Sequence, residues 1–532
     1  MPRSRSARRH AQRQPLDRLA LLAMVGLALA LGLLVFSGDH AAARVREFTW
    51  QDRQVGAEDQ AFLLTFSRPM DVASVEANLT LEPPIPGKVS WAGRRMAYTV
   101  TEPVPYGQSF AVSLREARDR YSANAGQTGQ FEPFQGQFET RQRSFLYIGT
   151  EGDEANRLVL ADLAQQERTI LTPKTLSVLS FKPYPLGDKV LFAATSTTQD
   201  QGLLSQQLYT VTTGLNPLPP EDFIAPSPAP IWSRLWPQPS DAPSGQLELV
   251  LDNQTYQNLK FDLSPDGQII VVQRVNQQDP ADFGPWVVRQ GQAPYRLDTE
   301  PGGDFLIAPD SQSLILLQGQ GTAIIDLSQD TQAGPRQPLD FLPNYGQVFD
   351  VAADGSAAAM VNFNQNDPAK RFTESLFLVT NQGQENELFQ ATGAILDAQF
   401  DPTRRFLYVL ASELVVDAPT DELLPNQTYA EQPVLVAIDL TRDLAQPTII
   451  KLLLLPQQQR ISMSLAPDGL ALLLDLDNEG DLAAQPDSDP TMGPSIWQLP
   501  LFADPSDRRQ GTPAVVKPEP FPFRGLQATW LP

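Results

Sequence analysis

The stretch "FDLSPDGQIIVV", Phe261 to Val272, alternates apolar residues, turns on Ser-Pro-Asp-Gly, and resumes as a run fit for a buried strand. A strand, a tight corner and a second strand make the smallest unit of an antiparallel sheet. Gly267 tolerates a positive φ and Asp266 can bond its own backbone, so the pair supplies the corner. Relatives recur down the chain. "FKPYPLGDKVLFAA" follows Ser180, "IAPDSQSLILL" follows Leu306 and "VAADGSAAAMV" follows Asp350. "FDPTRRFLYVL" follows Gln399, "LAPDGLALLLDL" follows Ser464, and "LQATWLP" brings Pro532 onto the same slot.

With the proline as marker, the slots are 183, 265, 309, 353 (an alanine), 402, 467 and 532. The last five intervals, 44, 44, 49, 65 and 65 residues, suit a four-stranded unit with loop insertions. A third strand follows each pair, as in "TAIIDLS" (322–328), "SLFLVT" (375–380), "VLVAIDL" (434–440) and "SIWQLPL" (495–501). One such sheet cannot bury both faces alone, whereas sheets stacked around an axis can. "SFLYIGTEGDEANRLVLADLAQQERTILT" reads as inner strands without a first one, and "GLQATWLP" as a first strand without successors. Joined, they make one blade closed by both ends of the chain, which removes an exposed sheet edge. Seven markers predict seven blades; six and eight stay open. These strands resemble the repeats of TolB-type propellers over residues 143–532, a resemblance that implies the β-propeller fold and names no activity. Asp266, Asp354 and Asp468 are thereby expected to serve the turns.

The 532 residues are 42% hydrophobic and 19% charged, a globular composition, and 48 prolines argue for short elements. With no cysteine there is no disulfide, thiol nucleophile or thiolate metal site. The two histidines, His10 and His40, lie at the N-terminus, which removes Ser-His-Asp catalysis and histidine-ligated zinc from the folded part. Carboxylate, Lys, Tyr and oxygen-ligated metal chemistry survive this filter. The net charge of −22 repels phosphate backbones, so nucleic acid is not an expected partner.

Residues 1–18 form a basic stub with six arginines, and "LALLAMVGLALALGLLVF" (19–36) comes next without a charge. As a helix this run spans about 27 Å, enough for the hydrocarbon core. The arginines place the stub in the cytoplasm and the chain beyond Phe36 outside it, giving a single-pass inner-membrane protein with a periplasmic bulk. The run exceeds the core of a cleaved signal, favouring a retained anchor. Cleavage after "AAA" (41–43) is the alternative. Residues 37–47 read as a linker.

From 48 to 141 the pattern is all-β, with six or seven short strands suiting a sandwich. "LTFSRPMDVASVEANLTLEP", "GKVSWAGRRMAYTV" and "PVPYGQSFAVSLREARD" occur there in order. These blocks resemble the bacterial Ig-like domain of S-layer type, which implies a spacer or adhesive module without catalytic residues. Phe66, Met70, Trp91 and Tyr98 are expected in its core.

Three departures from the repeat are candidate sites. The insertion 216–245 carries nine prolines and two tryptophans, Trp232 and Trp236, which either pack over the propeller or present aromatic contacts to a partner. In "DLDNEGDLAAQPDSD" (475–489), Asp475, Asp477, Glu479 and Asp481 have the odd-position spacing of a calcium loop. Pro486, however, stands where that loop needs a bidentate Glu. A third, acidic insertion spans 413–432. No phosphate loop, nucleophile elbow or dinucleotide fingerprint is present.

The expectation is an all-β, membrane-anchored envelope protein in which an Ig-like domain carries a non-catalytic propeller platform for a protein or envelope polymer. The alternative is a propeller-type enzyme acting on glycans or peptides through Asp/Glu or a calcium-assisted site. Raised, convergent carboxylates in the funnel favour the enzyme, and small apolar and amide side chains favour binding.

Overall fold

The computed structural model describes residues 22–29, 32, 42–120, 131–197, 205–215, 243–319, 321–328, 338–416, 429–458, 460–477, 494–503, 507–508, 511–515 and 517–532. Residues 22–29 are helical. Among the described residues no helix is long and apolar enough to cross a membrane; half of 19–36 lies outside them.

Alternation builds the first unit. In β3 (Ala61–Phe66) every second residue is buried, with Phe62, Leu64 and Phe66 fully inside. β3 pairs with β1 (Val45–Phe48) and β6 (Arg95–Val100), and β6 with β5 (Gly87–Ala92). The second sheet runs β2 (Gln54–Val55), β8 (Phe134–Thr140), β7 (Ser109–Leu114), β4 (Leu79–Glu82). Both sheets feed one core, in which Phe66 and Met70 are buried and Trp91 and Tyr98 half-buried. The first strand starts at Val45, inside the expected linker. A short helix, Val72–Asn78, was not expected: only Val75 is buried, so no helical stripe marks it. Asp71 caps it, accepting from the Ser74 amide at 3.2 Å.

Among the described residues seven sheets follow the sandwich, two of them sharing one strand. Sheet II is β12 (Leu176–Pro183), β13 (Lys189–Ser196), β14 (Gln207–Thr212) and β15 (Leu247–Leu251). Sheet III is β16 (Tyr256–Leu263), β17 (Ile269–Asn276), β18 (Phe283–Arg289) and β19 (Tyr295–Arg296). Sheet IV is β20 (Gly302–Ile307), β21 (Ser313–Gln318), β22 (Gly321–Asp326) and β23 (Asp340–Pro343). Sheet V is β24 (Gln347–Val351), β25 (Ala357–Asn362), β26 (Glu374–Thr380) and β27 (Glu385–Ala391). Sheet VI is β28 (Ile395–Phe400), β29 (Phe406–Val416), β30 (Tyr429–Asp439) and β31 (Thr448–Leu454). β32 (Ile461–Leu465), β33 (Ala471–Leu476) and β34 (Ser495–Pro500) begin sheet VII, and β9 (Ser144–Gly149), β10 (Leu158–Asp162) and β11 (Glu167–Ile170) belong to sheet I.

One long strand, β35 (Glu519–Trp530), serves both of these last sheets. Its first half pairs with β34, Trp497 opposite Pro520, and its second half with β9, Trp530 opposite Phe145. Gly525 marks the change of partner, where a Cβ would run into the Tyr147 ring. The expected pairing of the C-terminal strand with residues 144–149 is therefore present. The Leu531 amide donates to the Ser144 carbonyl at 3.0 Å, in the place that Ser264 N to Ile269 O takes in sheet III.

The second strands are buried on both faces, which explains their unbroken apolar runs. In β25, Ala359 and Val361 face sheet VI while Met360 faces sheet IV. Successive sheets thus share one apolar cluster per seam, and Ala471, Leu473 and Trp530 belong to a cluster joining sheet VII to sheet I. The corner glycines Gly187, Gly267, Gly355 and Gly469 all have φ near +70° (68–72°). Ser311 (56°) and Arg404 (59°) hold the same left-handed slot in the degenerate copies. This corrects one marker: the proline equivalent to Pro265 is Pro185 rather than Pro183, because Gly187 takes the left-handed position. Lys182 thereby aligns with Asp262.

Candidate functional site

The first strands carry a polar residue three places before the corner proline: Lys182, Asp262, Asp350, Gln399, Ser464 and Thr529 in six sheets, and Leu306 in sheet IV. Most of these side chains reach the next sheet. Lys182 pairs with Asp262, whose other oxygen accepts from Ile307 N at 2.7 Å. Asp350 accepts from Phe400 N at 2.8 Å, Gln399 from Leu465 N at 2.8 Å, and Ser464 from Trp530 N at 3.1 Å. Gln527 Nε2 donates to Leu179 O at 3.1 Å between sheets I and II. Among the described residues, no hydrogen bond joins β20 to β24, where Leu306 interrupts the series.

Burial sets the electrostatics of this inner belt. It pushes Asp350 up to about 7, helped by Asp397 and opposed by the amides of Phe400 and Val351 and by Lys182. Burial likewise lifts Asp397 to about 6, against hydrogen bonds from Gln399 and the Ala398 amide. Both oxygens of each carboxylate already accept hydrogen bonds from protein donors. The belt therefore holds first strands together before it offers a free base.

The expected site residues separate. Asp475 is buried in β33, accepting from the amide and hydroxyl of Ser462 and from Gln527 N at 2.6 Å. Burial raises its pKa. Asp477 is exposed just beyond the strand, and Glu479 and Asp481 lie outside the described residues. Among the described residues no cluster of three or more acidic side chains could hold a metal. Trp232 and Trp236 also lie outside them. Residues 413–416 and 429–432, read as insertion, are paired strand, Glu413 opposite Gln432.

Asp468 does more than close its turn. Buried at 1% exposure, it accepts from Tyr106 N of the sandwich at 3.1 Å and from Arg143 Nη2 at 3.2 Å. Arg508 donates to the Asp468 carbonyl, to Pro103 O at 2.8 Å and to Glu102 at 3.3 Å. Arg141 pairs with Glu58 and donates to Pro532 O at 3.0 Å. The sandwich thus docks on the face bearing the first-to-second-strand turns. Val45 pairs with Phe66, at the end of β3 away from this junction, so the chain enters the sandwich at its far end.

The opposite face carries the second-to-third-strand connections, as at 277–282 and 363–373. The insertion 216–245 joins a third strand to a fourth, so its flanks lie on the docked face instead. On the free face, at the seam of sheets IV and V, is a cavity of about 670 Å³. Among the described residues no charged side chain lines it, on a chain of net charge −22. Its lining includes Gly302, Gly303, Gly319 and Gly346, and Phe363 covers Gly346 so closely that a Cβ would overlap the ring. Amides from Gln318, Asn344, Asn362, Gln365 and Asn366 supply its polarity. The connection 363–373 is anchored by buried Asn364, whose Nδ2 lies 3.1 Å from Thr373 O and 2.9 Å from Ser375 Oγ. Tyr345 backs the cavity with its hydroxyl on Glu385 at 2.7 Å. Sequence reasoning missed this site because glycines and amides in connections carry no periodic signal.

No family model matches the chain, and no curated protein matches it. Solved structures do. TolB from Acinetobacter baumannii is 13% identical, covering 70% of this chain and 80% of that one, at a TM-score of 0.35. The periplasmic gluconolactonase of Pseudomonas aeruginosa is 13% identical over 74% of this chain and 99% of its own, at 0.39. Oligogalacturonate lyase from Vibrio parahaemolyticus is 10% identical over 68% and 91%, at 0.42. These are β-propeller folds. At TM-scores this low they carry no argument about what the chain binds or does, and its sheet order rests on its own strand pairing.

Proposed function

We propose that the chain is a membrane-anchored envelope protein whose seven-bladed propeller, closed by β35, is a non-catalytic binding platform. An Ig-like sandwich of S-layer type carries it, and the platform grips a protein or an envelope polymer in the periplasm. The reading is carried by one observation: the free face offers an uncharged cavity, while the inner carboxylates are already hydrogen-bonded within the protein. The sandwich supports the spacer role. β8, seven residues long, separates the chain's entry from the junction by about 23 Å at 3.3 Å per residue. The apolar run 19–36 after an arginine-rich stub supports the anchor.

A photo-crosslinker at exposed Asn366, on the free face, is expected to capture the partner from membranes. The same group at exposed Gln292, on the docked face, is expected to capture none. Equal capture at both positions overturns the platform. A second reading, hydrolysis of glycans or peptides, is favoured by the raised pKa values of Asp350 and Asp397. Turnover abolished by Asp350→Asn would establish it in place of the first.

A further inference from the structure

We propose that the cavity between sheets IV and V binds an uncharged glycan segment, with Phe363 as its stacking platform and the amides of Asn344, Gln365 and Asn366 on its hydroxyls. The inference rests on the platform reading and names its ligand class. Charge is the first argument. An ion would need a counter-charge to offset its lost hydration, and the described lining supplies none. Hydrogen-bonding capacity is the second. An amide offers both donors and acceptors, matching a hydroxyl that does the same. Among the described residues, the side chains of Asn344, Gln365 and Asn366 have no hydrogen-bond partner, so these groups are free for a ligand.

Shape is the third. Phe363 is 36% exposed, held against Gly346, and lines the cavity. An exposed aromatic ring lining a cavity suits the apolar C–H face of a sugar. The volume lies in the range of small-molecule pockets. Asn364 fixes the rim in advance, so little ordering remains for binding.

The test titrates the full chain with neutral cello-, malto- and chito-oligosaccharides, an anionic oligogalacturonate and a polyproline peptide, read by calorimetry. One neutral oligosaccharide is expected to bind with a Kd below about 1 mM. Phe363→Ala should weaken it about tenfold and Asn366→Ala about threefold to tenfold. Gly303, beside open space, tolerates a larger residue, so Gly303→Trp should fill the cavity and abolish binding with an unchanged melting temperature. Gln292→Ala on the docked face should change nothing. Binding of the peptide or the anionic sugar alone, or of no neutral sugar at all, overturns the glycan proposal and leaves the platform standing. Release of cleaved products overturns the platform itself.

Discussion

Two neighbouring seams of the same array are built differently. Between sheets V and VI, seventeen buried residues form one apolar cluster, and Asp350 ties β24 to Phe400 of β28. Between sheets IV and V the buried cluster is Tyr345, Met360 and Val379, and Leu306 stands where a polar side chain would reach across. A hydrogen bond from Thr322 to Tyr345 O at 3.1 Å holds sheet IV to the connecting segment instead. The first seam is filled and stapled; the second is open, and its opening is the uncharged cavity. A repeat array can thus make a binding site by leaving out what its other units use for cohesion.

The largest expected difference lies in the cores. Leu407→Ala, in the filled seam, should lower stability by about 4 kcal/mol, and Met360→Ala, in the open one, by about 2 kcal/mol. Denaturant midpoints measure both, and equal losses would break the comparison. The staple comes next. Asp350→Ala leaves the Phe400 amide unpaired and should cost about 1–3 kcal/mol, whereas half-buried Leu306→Ala should cost less than about 1 kcal/mol.

Acidity sharpens the same contrast. Asp350 has an ordinary value of 3.8 and is raised to about 7 in the fold, so the folded state holds its proton more tightly. Its contribution to stability is full below pH 4 and is lost as the pH rises through about 7. Asp350→Asn should therefore flatten the decline in stability between pH 4 and 7 relative to the parent chain. An unaltered slope would remove Asp350 as its source. The smallest effect is expected from Arg404→Met, which removes a half-exposed pair with Asp354 across the filled seam. A change within about 0.5 kcal/mol is expected in the same unfolding measurement.

What the sequence made legible was the backbone rhythm. Gly267, Gly355 and Gly469 announce the corner because few other residues enter a left-handed slot freely. The same reasoning slipped where the slot was masked. "FKPYPLG" offers two prolines, and only the position of Gly187 selects the second. The docking role of Asp468 was not readable, since its partners Tyr106 and Arg143 lie 362 and 325 positions away. Nor was the cavity, whose glycines and amides come from two sheets and acquire meaning only when Leu306 leaves that seam unstapled.

Hydrogen exchange on the full chain, with and without a saturating neutral oligosaccharide, tests the central claim most directly. Protection is expected at 302–303, 344–346 and 362–366, with the turns of the docked face unchanged. Protection confined to 413–416 and 429–432, or to the docked face, would contradict a binding site at the open seam.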